Sequence, residues 1–266
     1  MSFNKFLSIE GEKPLDNIVS DGGYISIFRT IACIGDSLSS GEFESIGPDG
    51  NKGYHDMFEY SWGQYIARMA GTKVYNFSRG GMTASEYTNS FAEANGFWDT
   101  DKLCQAYIIA LGHNDLFGLK QDIGSIADID KDDYNKNAPT VTGYYAKIIQ
   151  RIKLMQPEAR FFLITMPYTE TSVAGGEQDK LAKALYDMAD FFSYTYVVDL
   201  RKYGPVHDEE FRKAFYLGGH LNPAGYVYCA KQIASYIDYI IRNNMDDFKQ
   251  VPFIGTGLKY TEVKSE

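Results

Sequence analysis

Five short apolar runs punctuate the chain, near residues 31–34, 73–77, 106–111, 160–165 and 195–199, and each closes on glycine or a polar residue. Runs of this length suit strands buried on both faces of a parallel sheet. Between them the apolar residues change to helical spacing. Trp62, Tyr65, Ile66 and Met69 share one face, as do Val141, Tyr145, Ile148, Ile152 and Met155. Leu181, Leu185, Met188 and Phe192 form another stripe, and Tyr226, Ala230, Ile233, Ile237 and Ile240 a last one behind Pro223. Strand and helix alternate with no fixed repeat. This predicts a three-layer α/β/α domain with five parallel strands in the order 2-1-3-4-5.

The intervals are less regular. Residues 1–23 read as an irregular arm, 24–29 as an extra strand, and 85–94 as a helix. Two polar insertions, 41–60 and 116–140, read as long loops that wall a crevice. Residues 200–219 are mixed, and 244–266 read as an irregular tail. No composition shift marks a second domain, so residues 1–266 are expected to form one domain with a core at about 25–243.

Composition narrows the function. Twenty-six basic residues face 35 acidic ones, a net charge of −9, which argues against nucleic acid as a partner. No window of eighteen apolar residues predicts a membrane span. No basic segment followed by an apolar one opens the chain, and three cysteines give no disulfide framework. A soluble cytoplasmic protein acting on a small molecule is expected. Twenty-one tyrosines supply packing and part of a substrate cleft.

In an open α/β sheet the functional groups stand beyond the carboxyl ends of the strands. Strand one ends at Gly35-Asp36-Ser37, strand two at Gly80-Gly81, and strand three at Gly112-His113-Asn114-Asp115. His220 precedes the last helix. An acyl-transfer site needs a nucleophile, a base within reach and donors aimed at the developing oxyanion. Ser37 can be the nucleophile and His220 the base. The Ser37 N–H, the Gly81 N–H and the Asn114 amide can form the oxyanion hole. Other readings stand beside these. Asn114 can cap a helix, and Asp36 and Asp115 can hold loops by accepting backbone N–H bonds. Arg79 suits a surface salt bridge. His55, His113 and His207 lack metal-ligand spacing and read as loop residues. The acids at 128–133 read as a solvated loop.

These residues resemble the SGNH or GDSL hydrolases. Gly35 to Leu38 matches the family's first block, Gly81 after Asn76 its second, and Gly112 to Asp115 its third. His220 with Pro223, Gly225 and Tyr226 matches the last. The resemblance implies a flavodoxin-like sheet, no metal or other cofactor, and hydrolysis or transfer of acyl groups. It also implies an aspartate three residues before the histidine, where this chain has Leu217. Three groups are left to orient His220: a backbone carbonyl, Asp199, or one of Asp208, Glu209 and Glu210. The expected function is a serine ester hydrolase, with a lipid or a carbohydrate O-acetyl ester as substrate. A binding protein with impaired catalysis and an acyltransferase are the alternatives.

Overall fold

The computed structural model describes residues 3–254. Strands β1 (Thr30–Gly35), β2 (Lys73–Asn76), β3 (Ala106–Ala110), β4 (Arg160–Ile164) and β5 (Thr195–Val198) form one parallel sheet. Their spatial order is β2-β1-β3-β4-β5, as the alternation predicts. The main helices are α1 (Ser37–Ser40), α2 (Trp62–Ala70), α3 (Val141–Met155), α4 (Glu177–Phe191) and α5 (Pro223–Asn243).

Side chains along a strand point alternately to its two faces, and the sheet divides its apolar residues accordingly. Ala32, Ile34, Tyr107, Ile109, Phe161, Leu163 and Val197 pack with α3 and α4. Ile31, Cys33, Ala106, Ile108, Phe162, Ile164 and Val198 pack with α2 and α5 on the other side. Burying one such branched or aromatic side chain stabilises the fold by roughly 1.5–3 kcal/mol. Helix starts are capped by the residues the sequence supplies. Ser61 accepts from the Gln64 N–H, Thr140 from the Gly143 N–H and Asn222 from the Gly225 N–H. Tyr145 of α3 ties down the end of β3, accepting from the Leu111 N–H at 2.9 Å and donating to the Leu111 carbonyl at 2.8 Å. This bond holds the chain just before Asn114.

Several local expectations are corrected. Residues 24–29 form no strand. Gly23–Ile27 is a 3-10 turn, set by left-handed Gly22 and by the Tyr24 N–H donating to Asp238 Oδ1 of α5. Ile25 and Phe28, three apart, both face the core from that turn. The helix expected at 85–94 runs through a π turn at Tyr87–Phe91. The 41–60 insertion is largely a β-hairpin, Glu42–Ile46 paired with Lys52–Asp56, called here the long hairpin. The 116–140 insertion is a series of short turns. Ser125 and Asp128 form a capping box, and Asp130 Oδ1 accepts from the Asp132 and Asp133 N–H groups. Beyond α5, Met245–Phe248 is helical and Phe248 is buried beside Phe28 and Phe162. Residues 255–266 of the expected tail, and residues 1–2 of the arm, lie outside the described residues. No helix among the described residues is long and apolar enough to cross a membrane.

Candidate active site

The site lies at the carboxyl edge of β1, β2 and β3. The chain leaves β1 at Gly35, where a Cβ would come within 2.1 Å of Ser39 Oγ and 2.9 Å of the Ala110 carbonyl oxygen. Glycine is required for so close a turn. Asp36 then caps α1, accepting from the Leu38 N–H at 3.2 Å. Burial pushes the Asp36 carboxyl up to about 6, against the pull of that N–H and of His220. Ser37 is the first residue of α1 and is half-buried. Among the described residues nothing bonds its Oγ or its N–H.

The loop after β2 is pinned at several points. Ser78 N–H donates to Asn76 Oδ1 and Arg79 N–H to the Gly35 carbonyl. Gly80 N–H donates to Asp56 Oδ2 at 3.2 Å, and Asp56 Oδ1 accepts from the Ser40 O–H. Gly81 adopts φ +71, and its N–H has no partner among the described residues. Asn114 is not a helix cap. Its Nδ2–H donates to the Met82 carbonyl at 3.1 Å, which ties the third block to the Gly81 turn and leaves the second amide proton over. Asp115 is fully buried and accepts from the Ala84 and Ser85 N–H groups. Asn114 and Asp115 together clamp the segment that carries Gly81. Arg79 pairs with Glu86 at the surface, as expected.

His220 sits in a short hairpin, Tyr216–Leu217 paired with His220–Leu221. This hairpin strand packs beside α1, which brings the histidine to the serine's side of the sheet edge. Two carboxylates grip the ring. Glu44 Oε1 lies 3.1 Å from Nδ1 and Glu42 Oε1 lies 2.9 Å from Nε2. The side chains of His220, Glu42 and Glu44 are only 16%, 13% and 8% exposed. Tyr54 meets the ring edge-on, 5.9 Å between centroids.

The long hairpin explains the grip. Phe43 packs against Tyr60 and Tyr226, and the Tyr226 O–H donates to the Glu42 carbonyl at 2.7 Å. With Phe43 anchored on one face, the two-residue period turns Glu42 and Glu44 to the other. Glu44 Oε1 also accepts from the Gly219 N–H at 2.6 Å, and Lys52 donates to its Oε2 at 3.0 Å. Lys52 first, then the Gly219 N–H and His220, hold the Glu44 carboxyl below its ordinary range. Glu42 is shifted the other way. Burial pushes it up, as do Asp56 and Glu44, while His220 pulls it down. Engaging both ring nitrogens at once requires either an imidazolium or a proton on one carboxyl.

The groups expected to orient His220 are occupied elsewhere. Asp199 accepts from the Thr165 and Tyr186 hydroxyls and the Lys202 N–H. Asp208 caps the helix Glu209–Phe215, Glu209 pairs with Lys213, and Glu210 faces solvent. Nδ1 faces a carboxylate, not a backbone carbonyl. Leu217 stands opposite His220 in the short hairpin and is 51% exposed. Sequence reasoning missed Glu42 and Glu44 because 41–60 read as a loop. The alternation Glu42-Phe43-Glu44 ahead of Pro48-Asp49-Gly50 is a hairpin signal that could have found them. His207 is also corrected from a loop residue. It is buried, stacked on Phe211 with 4.0 Å between centroids, and near Tyr216 Oη at 3.0 Å, and burial pushes it down to about 4.

A family model, the GDSL-like Lipase/Acylhydrolase family, matches residues 33–228. The chain belongs to this family of hydrolases. The match spans all four blocks, from the strand before Ser37 to the helix after His220. Solved structures share the fold at low identity. A Lactobacillus plantarum protein is 15% identical over 79% of this chain and 97% of its own, with a TM-score of 0.57. A family two carbohydrate esterase from Clostridium thermocellum, solved with cellohexaose, is 16% identical over 90% of this chain and 67% of its own, TM-score 0.53. A family 2 carbohydrate esterase with a carbohydrate-binding domain, from Corynascus thermopiles (Myceliophthora fergusii), is 18% identical over 85% and 69%, TM-score 0.52. No curated protein matches the chain.

Proposed function

We propose that this acylhydrolase-family protein is a serine ester hydrolase. Ser37 attacks the ester carbonyl, and His220 Nε2 takes its proton and returns it to the leaving alcohol. Water then releases the acyl group from Ser37 by the same base. The Ser37 and Gly81 N–H groups and the free Asn114 amide proton receive the oxyanion.

The observation that carries this reading is the pair of unspent backbone donors at Ser37 and Gly81, with Asn114 joined to the Gly81 turn through Met82. Gly81 is exposed and Ser37 half-buried, so both N–H groups stay open to an incoming group. Donors left over beside a serine on a tight turn suit a developing negative charge. The polar mouth made by Glu42, Asp56 and Tyr54 favours a small acyl group on a polar alcohol, such as an O-acetylated carbohydrate. The two carbohydrate esterases of similar fold accord with that choice. The whole of residues 1–266 is read as one domain, placed in the cytoplasm.

Replacing Ser37 by alanine tests the reading. Turnover of p-nitrophenyl acetate and labelling by a fluorophosphonate should both vanish, with the melting temperature retained. Turnover that survives would remove Ser37 from the mechanism. A second reading, a binding protein with impaired catalysis, draws on the Glu42 contact with Nε2. It predicts that folded wild-type protein does not react with the fluorophosphonate at all.

A further inference from the structure

We infer that Glu44 is the positioning residue for His220, supplied by the long hairpin in place of an acid at position 217. This rests on the reading of Ser37 and His220 as nucleophile and base. A general base of this kind must present an unprotonated Nε2 to the serine, so Nδ1 must carry the proton and donate it to a fixed acceptor. Glu44 Oε1 is such an acceptor. It is 3.1 Å from Nδ1, and it cannot swing away without losing the 2.6 Å bond from the Gly219 N–H. Lys52 on Oε2 keeps the carboxyl ionised.

The turn before the histidine is shaped for this visitor. A Cβ on Gly218 would lie 2.3 Å from Glu44 Oε2, and one on Gly219 2.5 Å from Oε1. Gly218 also holds φ +67, where side chains are strained. Two consecutive glycines thus leave the volume that the carboxylate fills. Position 217 can then be an exposed leucine, because the acid arrives from another element. Glu42 cannot play this part, since it faces Nε2, the atom that must receive the serine's proton. The other groups facing the ring or its charge are Tyr54 and Asp36.

The test is Glu44→Gln in the full chain, with p-nitrophenyl acetate as substrate. The Gly219 N–H demands an oxygen at the Oε1 position, so the glutamine seats its carbonyl there and keeps the ring tautomer. The charge is lost, and with it the acceptor that Lys52 meets at Oε2. The kcat should fall about 10²-fold with KM little changed, short of the ~10⁴-fold loss that a wrong tautomer causes in a serine protease. The acid limb of the kcat/KM profile should move to lower pH by about one unit, since a carboxylate within hydrogen-bond reach stabilises the imidazolium. The downfield Nδ1–H proton resonance of His220 should move upfield. Lys52→Met should shift the acid limb in the opposite direction, to higher pH, which a merely structural role would not produce. If wild-type Ser37 reacts with a fluorophosphonate while Glu44→Gln keeps its kcat within about threefold and its acid limb in place, Glu44 does not position the ring. If wild-type Ser37 does not react, the assignment falls together with the reading beneath it.

Discussion

Glu42 Oε1 lies 2.9 Å from His220 Nε2, on the nitrogen opposite the one that Glu44 engages. The other oxygen, Oε2, lies over Gly80, 1.9 Å from where a Cβ would stand. In the proposed mechanism Glu42 therefore covers the atom that would accept the serine's proton, and it would compete with Ser37 for it. A hydrogen bond to a charged group contributes about 1.5–3 kcal/mol, worth a factor of ten or more. Glu42→Ala should accordingly speed fluorophosphonate labelling of Ser37 roughly tenfold. Slower labelling in Glu42→Ala would mean that the carboxylate assists the reaction instead of blocking it.

Asp36 carries a pH dependence of stability with a definite sign. Burial raises its folded pKa from the ordinary 3.8 to about 6. The folded state then holds the proton more tightly than the unfolded chain, so the stability it adds is full below the unfolded pKa and is lost as pH rises through about 6. Asp36→Asn keeps an acceptor for the Leu38 N–H and removes the titration. The difference in unfolding free energy, variant minus wild type, should grow in the variant's favour from pH 4 to pH 7 in urea titrations. A difference that stays flat across this range would show that Asp36 does not titrate there.

Asn114 is tied to Met82 by one amide proton and keeps the other. If that proton meets the oxyanion, Asn114→Ala should lower kcat by about 10²–10³-fold, the effect of losing one such donor. KM for p-nitrophenyl acetate should hardly change. A drop in kcat of less than about threefold would mean that the amide serves only to brace the Gly81 turn.

The sheet was legible because burial on both faces writes itself into composition. A strand such as Ala106–Ala110 must be apolar throughout, and a helix such as α3 must show its stripe. The blocks around Ser37, Gly81, Asn114 and His220 were legible because each is local, a strand end with its turn. Residues 24–29 misled because Ile25 and Phe28 fill the core from a turn that depends on Asp238, 214 residues from its bond partner Tyr24. The polar stretch 41–60 misled because, beside Phe43, what its hairpin covers is the carboxylates of Glu42 and Glu44, so polarity alone read as loop.

The linear order of residues therefore determined the parallel sheet, its strand order and the loops that carry the candidate chemistry, since periodicity and turn residues act within a few positions. Only the folded chain decided what holds the histidine. Glu44 is 176 residues from His220, and their meeting depends on Phe43 docking against Tyr226 and on two glycines leaving room. A contact between distant segments is fixed by packing and excluded volume, and local sequence can signal the hairpin and the glycine turn but not that the two meet.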